Sequence, residues 1–100
     1  MKYFTKEDNF NDLVKEGIHL VDFYAEWCGP CKMLGPVLES MESEVDIIKV
    51  NIDEAEELTN EFKIMSVPTM IIFKDGKKLD EIVGFHSKEE ILEMIENLTK

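Results

Sequence analysis

Ile18-His19-Leu20-Val21-Asp22-Phe23-Tyr24-Ala25, continuing as Glu26-Trp27-Cys28-Gly29-Pro30-Cys31, is the stretch on which the reading of this chain turns. Ile18 to Ala25 is rich in branched and aromatic side chains and apolar on both faces except at His19 and Asp22. That is the pattern of a strand covered on both sides at the centre of a sheet. Beyond the cysteines, Leu34, Val37, Leu38, Met41 and Val45 recur at helical spacing, with Pro36 inside the pattern, where it is expected to kink the helix. The cysteines therefore fall where a central strand hands over to a helix. In open α/β sheets that carboxyl end is where chemistry usually sits.

On the N-terminal side, Lys2 to Phe4 reads as a short strand and Thr5 with Asp8 as a capping pair. Phe10, Leu13 and Val14 then stripe a first helix that runs to about Glu16 and stops at Gly17. On the C-terminal side, Ile47 to Ile52 reads as a strand, and Asp53 with Glu56 caps a helix carrying Ala55, Leu58 and Phe62. Thr69 to Phe73 is another strand, and Lys74-Asp75-Gly76-Lys77 supplies a hairpin turn to a return strand at Leu79 to Gly84. Ser87 with Glu90 caps a last helix striped by Ile91, Met94, Ile95 and Leu98. The order βαβαβαββα permits parallel crossovers in its first half and requires an antiparallel hairpin in its second. The expected fold is α/β, a mixed sheet flanked by helices on both faces.

With 100 residues, 44% of them hydrophobic, and no repeat, low-complexity tract or linker, residues 1–100 are expected to form one domain. Eleven basic against 22 acidic residues give a net charge of −11, which repels phosphate backbones and anionic lipid, so neither nucleic acid nor membrane is an expected partner. The opening residues lack the apolar run and cleavage site of a secretory signal, and no stretch approaches the length of a membrane span, so the expected compartment is the cytoplasm.

Two cysteines only two residues apart would close too small a loop to serve as a structural staple, so their use is expected to be chemical. Cys28, at the start of a helix, lies near unpaired backbone N–H groups and the positive end of the helix dipole, both of which favour thiolate. Cys31, one turn on, is placed to attack a mixed disulfide formed on Cys28. Gly29 lets a partner backbone approach, and Pro30 is tolerated in a first helical turn. A bare Cys-x-x-Cys is also half a zinc site. That reading needs four ligands, and the remaining soft candidates, His19 and His86, are not spaced like a zinc ribbon or finger, so no metal is expected. No Gly-rich dinucleotide fingerprint is present, so no cofactor is expected either.

Taken together, Val21-Asp22-Phe23-Tyr24-Ala25-Glu26-Trp27-Cys28-Gly29-Pro30-Cys31-Lys32 resembles the active-site signature of the thioredoxin family. The resemblance extends through Pro36, Lys49 in Lys-Val-Asn-Ile-Asp, Val67-Pro68-Thr69 and Gly84. It implies the thioredoxin fold, a redox disulfide between Cys28 and Cys31, and reduction of protein disulfides with Cys28 as nucleophile and Cys31 as resolving thiol. It further implies that Asp22, by way of water, accepts the proton of Cys31, with Lys49 tuning it. The Val67-Pro68 bond is then cis and faces the disulfide, with Val67 offering backbone hydrogen bonds to an extended substrate segment. Trp27, Gly29, Pro30, Val67, Pro68, Gly84 and Phe85 would form the uncharged substrate collar.

The implied partners are a thioredoxin reductase, NADPH- or ferredoxin-linked, and disulfide-bearing proteins such as peroxiredoxin or ribonucleotide reductase, met as a monomer. Tyr24 departs from the family, where many members carry tryptophan. Asp22 has its own physical signal, since a carboxylate in an apolar strand needs a partner or a raised pKa. The rival functions are a dedicated reductant of a single pathway and an interaction module whose binding depends on its redox state.

Overall fold

The computed structural model describes residues 1–100. Its elements are β1 (Lys2–Tyr3), α1 (Phe10–Val14), β2 (Ile18–Tyr24), α2 (Gly29–Glu39), β3 (Asp46–Asn51), α3 (Glu56–Glu61), β4 (Thr69–Lys74), β5 (Lys77–Val83) and α4 (Lys88–Leu98). The strands form one five-stranded sheet in the order β1-β3-β2-β4-β5. β1, β3 and β2 run parallel, and β4 pairs antiparallel with both β2 and β5. The strand that opened the sequence reading is therefore the central one, and the mixed sheet expected from the element order is present.

Alternation along the strands sends side chains to two separate cores. Val21 and Phe23 of β2, Ile48 and Val50 of β3, and Ile71 and Phe73 of β4 pack against Phe10 and Val14 of α1 and Leu58 of α3. On the opposite face Leu20, Ile47, Met70 and Ile72 pack against Leu34 and Leu38 of α2 and Ile91 and Ile95 of α4. The first core is largely aromatic: Phe10, Phe62 and Phe73 meet edge-on with ring centroids 5.4–5.5 Å apart.

Two expected caps lie elsewhere. The Asp8 carboxylate accepts from both the N–H and the hydroxyl of Thr5 and pairs with Lys2, but this closes a turn ahead of α1. The helix itself is capped by Asn9, whose side chain accepts from the Asp12 N–H at 3.2 Å. Asp53 does not cap α3, whose N-cap position is Ala55, without a side-chain acceptor. Asp53 instead donates its N–H to Asn51 Oδ1, and its carboxylate accepts from the Trp27 indole. α2 ends at Glu39, so Val45 lies beyond it, although Met41 remains fully buried under the sheet. The reciprocal Ser87–Glu90 capping box of α4 stands as expected.

At the far end of the sheet the β4–β5 turn runs through Asp75 and Gly76, at φ 49° and 84°, the left-handed backbone that an Asp-Gly pair accommodates. The turn does not project freely. Gly17 donates to Asp75 Oδ1 at 2.8 Å, the Asp75 N–H to the Gly17 carbonyl at 2.9 Å, and the Gly76 N–H to the Val14 carbonyl at 2.8 Å.

Leu38 is fully buried between α2 and the sheet. Leu38→Ala is expected to lower unfolding free energy by about 2–5 kcal/mol at unchanged m-value in urea. Met65→Ala, at a position 93% exposed, should change it by no more than about 0.5 kcal/mol.

Candidate active site

Cys28 leaves the end of β2 and becomes the N-cap of α2, with extended backbone at φ −91°, ψ 115°. Its sulfur accepts the Cys31 backbone N–H at 3.1 Å. An N-cap acceptor is ordinarily a hydroxyl or carboxylate oxygen; here one of the orphan donors of the first turn is satisfied by sulfur, which favours the thiolate whenever the bond to Cys31 is open. Cys28 and Cys31 are joined as a disulfide with Cα atoms 5.3 Å apart. Both are nearly buried, packed with Ala25 against Tyr24, Ile52 and Val67. Gly29 and Pro30 lie between them in the first turn and are exposed.

The segment before β4 approaches this disulfide from the side. The Val67-Pro68 peptide is cis, and the Val67 carbonyl oxygen lies 3.7 Å from Cys28 Sγ. Gly84, at φ 90° in the left-handed region, donates its N–H to the Pro68 carbonyl at 2.8 Å, which holds the end of β5 against the same segment. Phe85 follows it, 43% exposed. Trp27 is 69% exposed, and its indole N–H donates to Asp53 Oδ2 at 2.9 Å.

Beneath α2, the sheet carries a charged pair. Asp22 follows Ile18 and Leu20 onto the α2 face of β2, and Lys49 follows Ile47 onto the same face of β3, where the two are register partners. Asp22 is fully buried, and neither of its carboxylate oxygens has a protein hydrogen-bond partner. Lys49 Nζ stands 3.7 Å from Asp22 Oδ2, within coulombic range but beyond hydrogen-bond length. Burial pushes the Asp22 carboxyl up to about 6, against the downward pull of Lys49. The ammonium also lies 4.4 Å from the Tyr24 ring centroid and 5.9 Å from that of Tyr3.

The structure thus brings the disulfide, Val67, Pro68 and Gly84 into a chain of contacts and sets Asp22 and Lys49 on the sheet face that α2 covers. His19 bonds the Glu16 carbonyl and His86 the Val83 carbonyl. Sequence reasoning passed over Asp53 as the partner of Trp27, and over Tyr3 and Tyr24 as neighbours of Lys49. Asp53 was visible only as a capping candidate, and nothing in the periodicity reveals which rings on the neighbouring strands lie beside a lysine.

Comparison with known proteins gives a consistent result. A family model, Thioredoxin, matches residues 2–97. The thioredoxin of Staphylococcus saprophyticus is 47% identical over 94 residues, covering 90% of each chain. Among solved structures, a single-residue mutant of the thioredoxin from Halobacterium salinarum superposes with a TM-score of 0.89 at 32% identity, covering 99% of this chain and 90% of that one. A chain from a structural study of thiol resolution in yeast mitochondrial 1-Cys peroxiredoxin by the glutathione and thioredoxin systems superposes with a TM-score of 0.84 at 29% identity, covering 97% of this chain and 94% of that one.

The raised pKa of Asp22 has a thermodynamic consequence. The folded protein holds this proton up to about pH 6, whereas the unfolded chain releases it near the ordinary carboxyl value of 3.8. Stability should therefore fall as pH rises between those values and level off above them. Asp22→Asn is expected to be more stable than the parent at pH 7.5, by an amount on the order of 3 kcal/mol, with the gap closing near pH 4. Urea unfolding of both proteins at the two pH values checks this.

Proposed function

The chain belongs to the thioredoxin family of thiol–disulfide oxidoreductases, with protein-disulfide reductase activity, and on that premise we propose the role of each residue. In the dithiol form the Cys28 thiolate attacks one sulfur of a target disulfide. The target's S–S bond breaks, a mixed disulfide forms on Cys28, and the departing sulfur leaves as a thiolate that takes up a proton. Cys31 then loses its proton and attacks the Cys28 sulfur; the second target sulfur leaves reduced, and the Cys28–Cys31 bond remains. Two electrons pass to the target, and the protein is left oxidised.

The observation that carries this reading is the N–H···Sγ bond from Cys31 to Cys28, since it stabilises negative charge on one sulfur of the pair and on that one alone. Asp22 is the acceptor of the Cys31 proton, reached through water, and Lys49 tunes it. Support comes from the burial of Asp22 on the α2 side of the sheet and from a carboxyl lifted toward neutrality, where a base exchanges protons most effectively.

Val67 offers backbone hydrogen bonds to an extended target segment beside Cys28. Trp27, Gly29, Pro30, Pro68, Gly84 and Phe85 provide the uncharged surface around it. The oxidised protein is recharged by a thioredoxin reductase, NADPH- or ferredoxin-linked. Its targets are disulfide-bearing proteins of the peroxiredoxin and ribonucleotide reductase kinds, met in the cytoplasm by a monomer.

Cys31→Ser is expected to accumulate disulfide-linked adducts on Cys28 when mixed with oxidised target proteins, while Cys28→Ser is expected not to. Comparable adducts on both variants, seen on non-reducing gels, would reverse the assignment of the two cysteines; a single adduct from a whole extract would mark a dedicated reductant.

Equilibration in thiol–disulfide buffers should place the Cys28–Cys31 couple below roughly −240 mV, in the range characteristic of thioredoxins. A potential near about −180 mV or above is that of an oxidase or isomerase and would refute the reductive direction.

A further inference from the structure

Lys49 is held more closely than a tuning charge for Asp22 requires. Its side chain is only 9% exposed, and its ammonium is 3.7 Å from Asp22 Oδ2 with no hydrogen bond between them. The ammonium also faces two aromatic rings, that of Tyr24 at 4.4 Å and, more distantly, that of Tyr3 at 5.9 Å. A cation within about 6 Å of a ring centroid is drawn to the ring quadrupole, more strongly where water is excluded. Tyr24 also packs against the cluster of Ala25, Cys28 and Cys31. One residue therefore packs against the cysteine cluster and faces the cation beside the buried carboxylate.

We propose that Tyr24 is a positioning residue for proton transfer: its ring holds the Lys49 ammonium at a set distance from Asp22 and thereby sets the pH at which Asp22 takes up a proton. This rests on the reading of Asp22 as proton acceptor. The other groups facing the site are few. β1 supplies Tyr3, while Cys28, the N-cap of α2, and Cys31 in its first turn lie in the cluster that Tyr24 packs against. Glu26, between β2 and α2, and Glu54, after β3, act on the Tyr24 phenol. β4 places Met70 opposite Asp22, and α4 contributes the apolar Ile91 and Ile95. Burial first, and then the neighbouring Tyr3, Glu26 and Glu54, push the Tyr24 phenol upward, so the ring stays neutral through the range in which Asp22 titrates.

The direction of the effect follows from what holds the lysine in. Without the ring, the ammonium loses an attraction that competes with hydration and swings toward water, and Asp22 loses part of the pull that favours its charged form. The test is a pH titration of the Asp22 side-chain carboxyl by carbon NMR, alongside the pH profile of mixed-disulfide resolution. It uses Tyr24→Leu, with Tyr24→Met in reserve if the first does not fold, together with Tyr24→Phe and Tyr24→Leu in a Lys49→Met background.

Tyr24→Leu should raise the carboxyl midpoint by about half a pH unit and carry the rate profile with it. Tyr24→Phe, which keeps the ring and loses the hydroxyl, should retain the parent midpoint. In the Lys49→Met background the Leu substitution should move nothing. An unmoved or lowered midpoint in Tyr24→Leu, or an equal shift with and without Lys49, overturns the proposal. A carboxyl midpoint that moves while the rate profile stays in place overturns instead the reading of Asp22 as the acceptor.

Discussion

The register of β2 between its two neighbours is the constraint on which the rest depends. Asp22 is aligned with Lys49 on one side and with Met70 on the other. Because side chains alternate with a period of two, a slip of one residue would carry Asp22 to the opposite face, into the core of Val21, Phe23 and the α1 phenylalanine. It would also send Phe23 under α2. Both faces of the strand are apolar and filled, so the sheet cannot exchange one register for another at small cost. The lysine, the carboxylate and the helix carrying the cysteines meet because apolar packing elsewhere leaves no alternative arrangement.

Within that frame the two ionisable centres are governed by opposite environments. Cys28 sits at a helix start, where the Cys31 N–H donates to its sulfur and negative charge is favoured. Asp22 sits where burial disfavours charge and a single cation partly offsets it. One environment thus favours negative charge on a sulfur, and the other resists it on a carboxyl. One helix serves both environments, since α2 has its capped end at the disulfide and its apolar side on the sheet.

Much of this was legible in the sequence because the decisive signals were local. A continuous apolar run broken only by His19 and Asp22 marked the central strand, and the Ser87–Glu90 pair marked a helix start that the structure has. The failures share a physical cause. Thr5–Asp8 and Asp53–Glu56 have the spacing of capping pairs, but a carboxylate binds whichever donor reaches it first: Asp8 turned back to Thr5 and Lys2, and Asp53 received the Trp27 indole. Val45 kept helical spacing past the end of the helix because the buried Met41 belongs to the same core without being helical. Tyr3, Tyr24 and Lys49 come together only through the pairing of β1 with β3 and of β3 with β2. No window along the chain contains that lateral neighbourhood.

The bonds from the β4–β5 turn to the end of α1 change what an exposed loop means in this molecule. An Asp-Gly hairpin tip, polar and on the surface, is ordinarily the place to insert a tag, open a new terminus or join a second protein. Here Asp75 and Gly76 close the unsatisfied carbonyls of Val14 and Gly17, so the tip serves as the C-terminal cap of a helix far away in sequence. Lengthening it would uncap α1 at the end of the sheet remote from the cysteines. For anyone building on this scaffold, the most inviting loop is a structural joint.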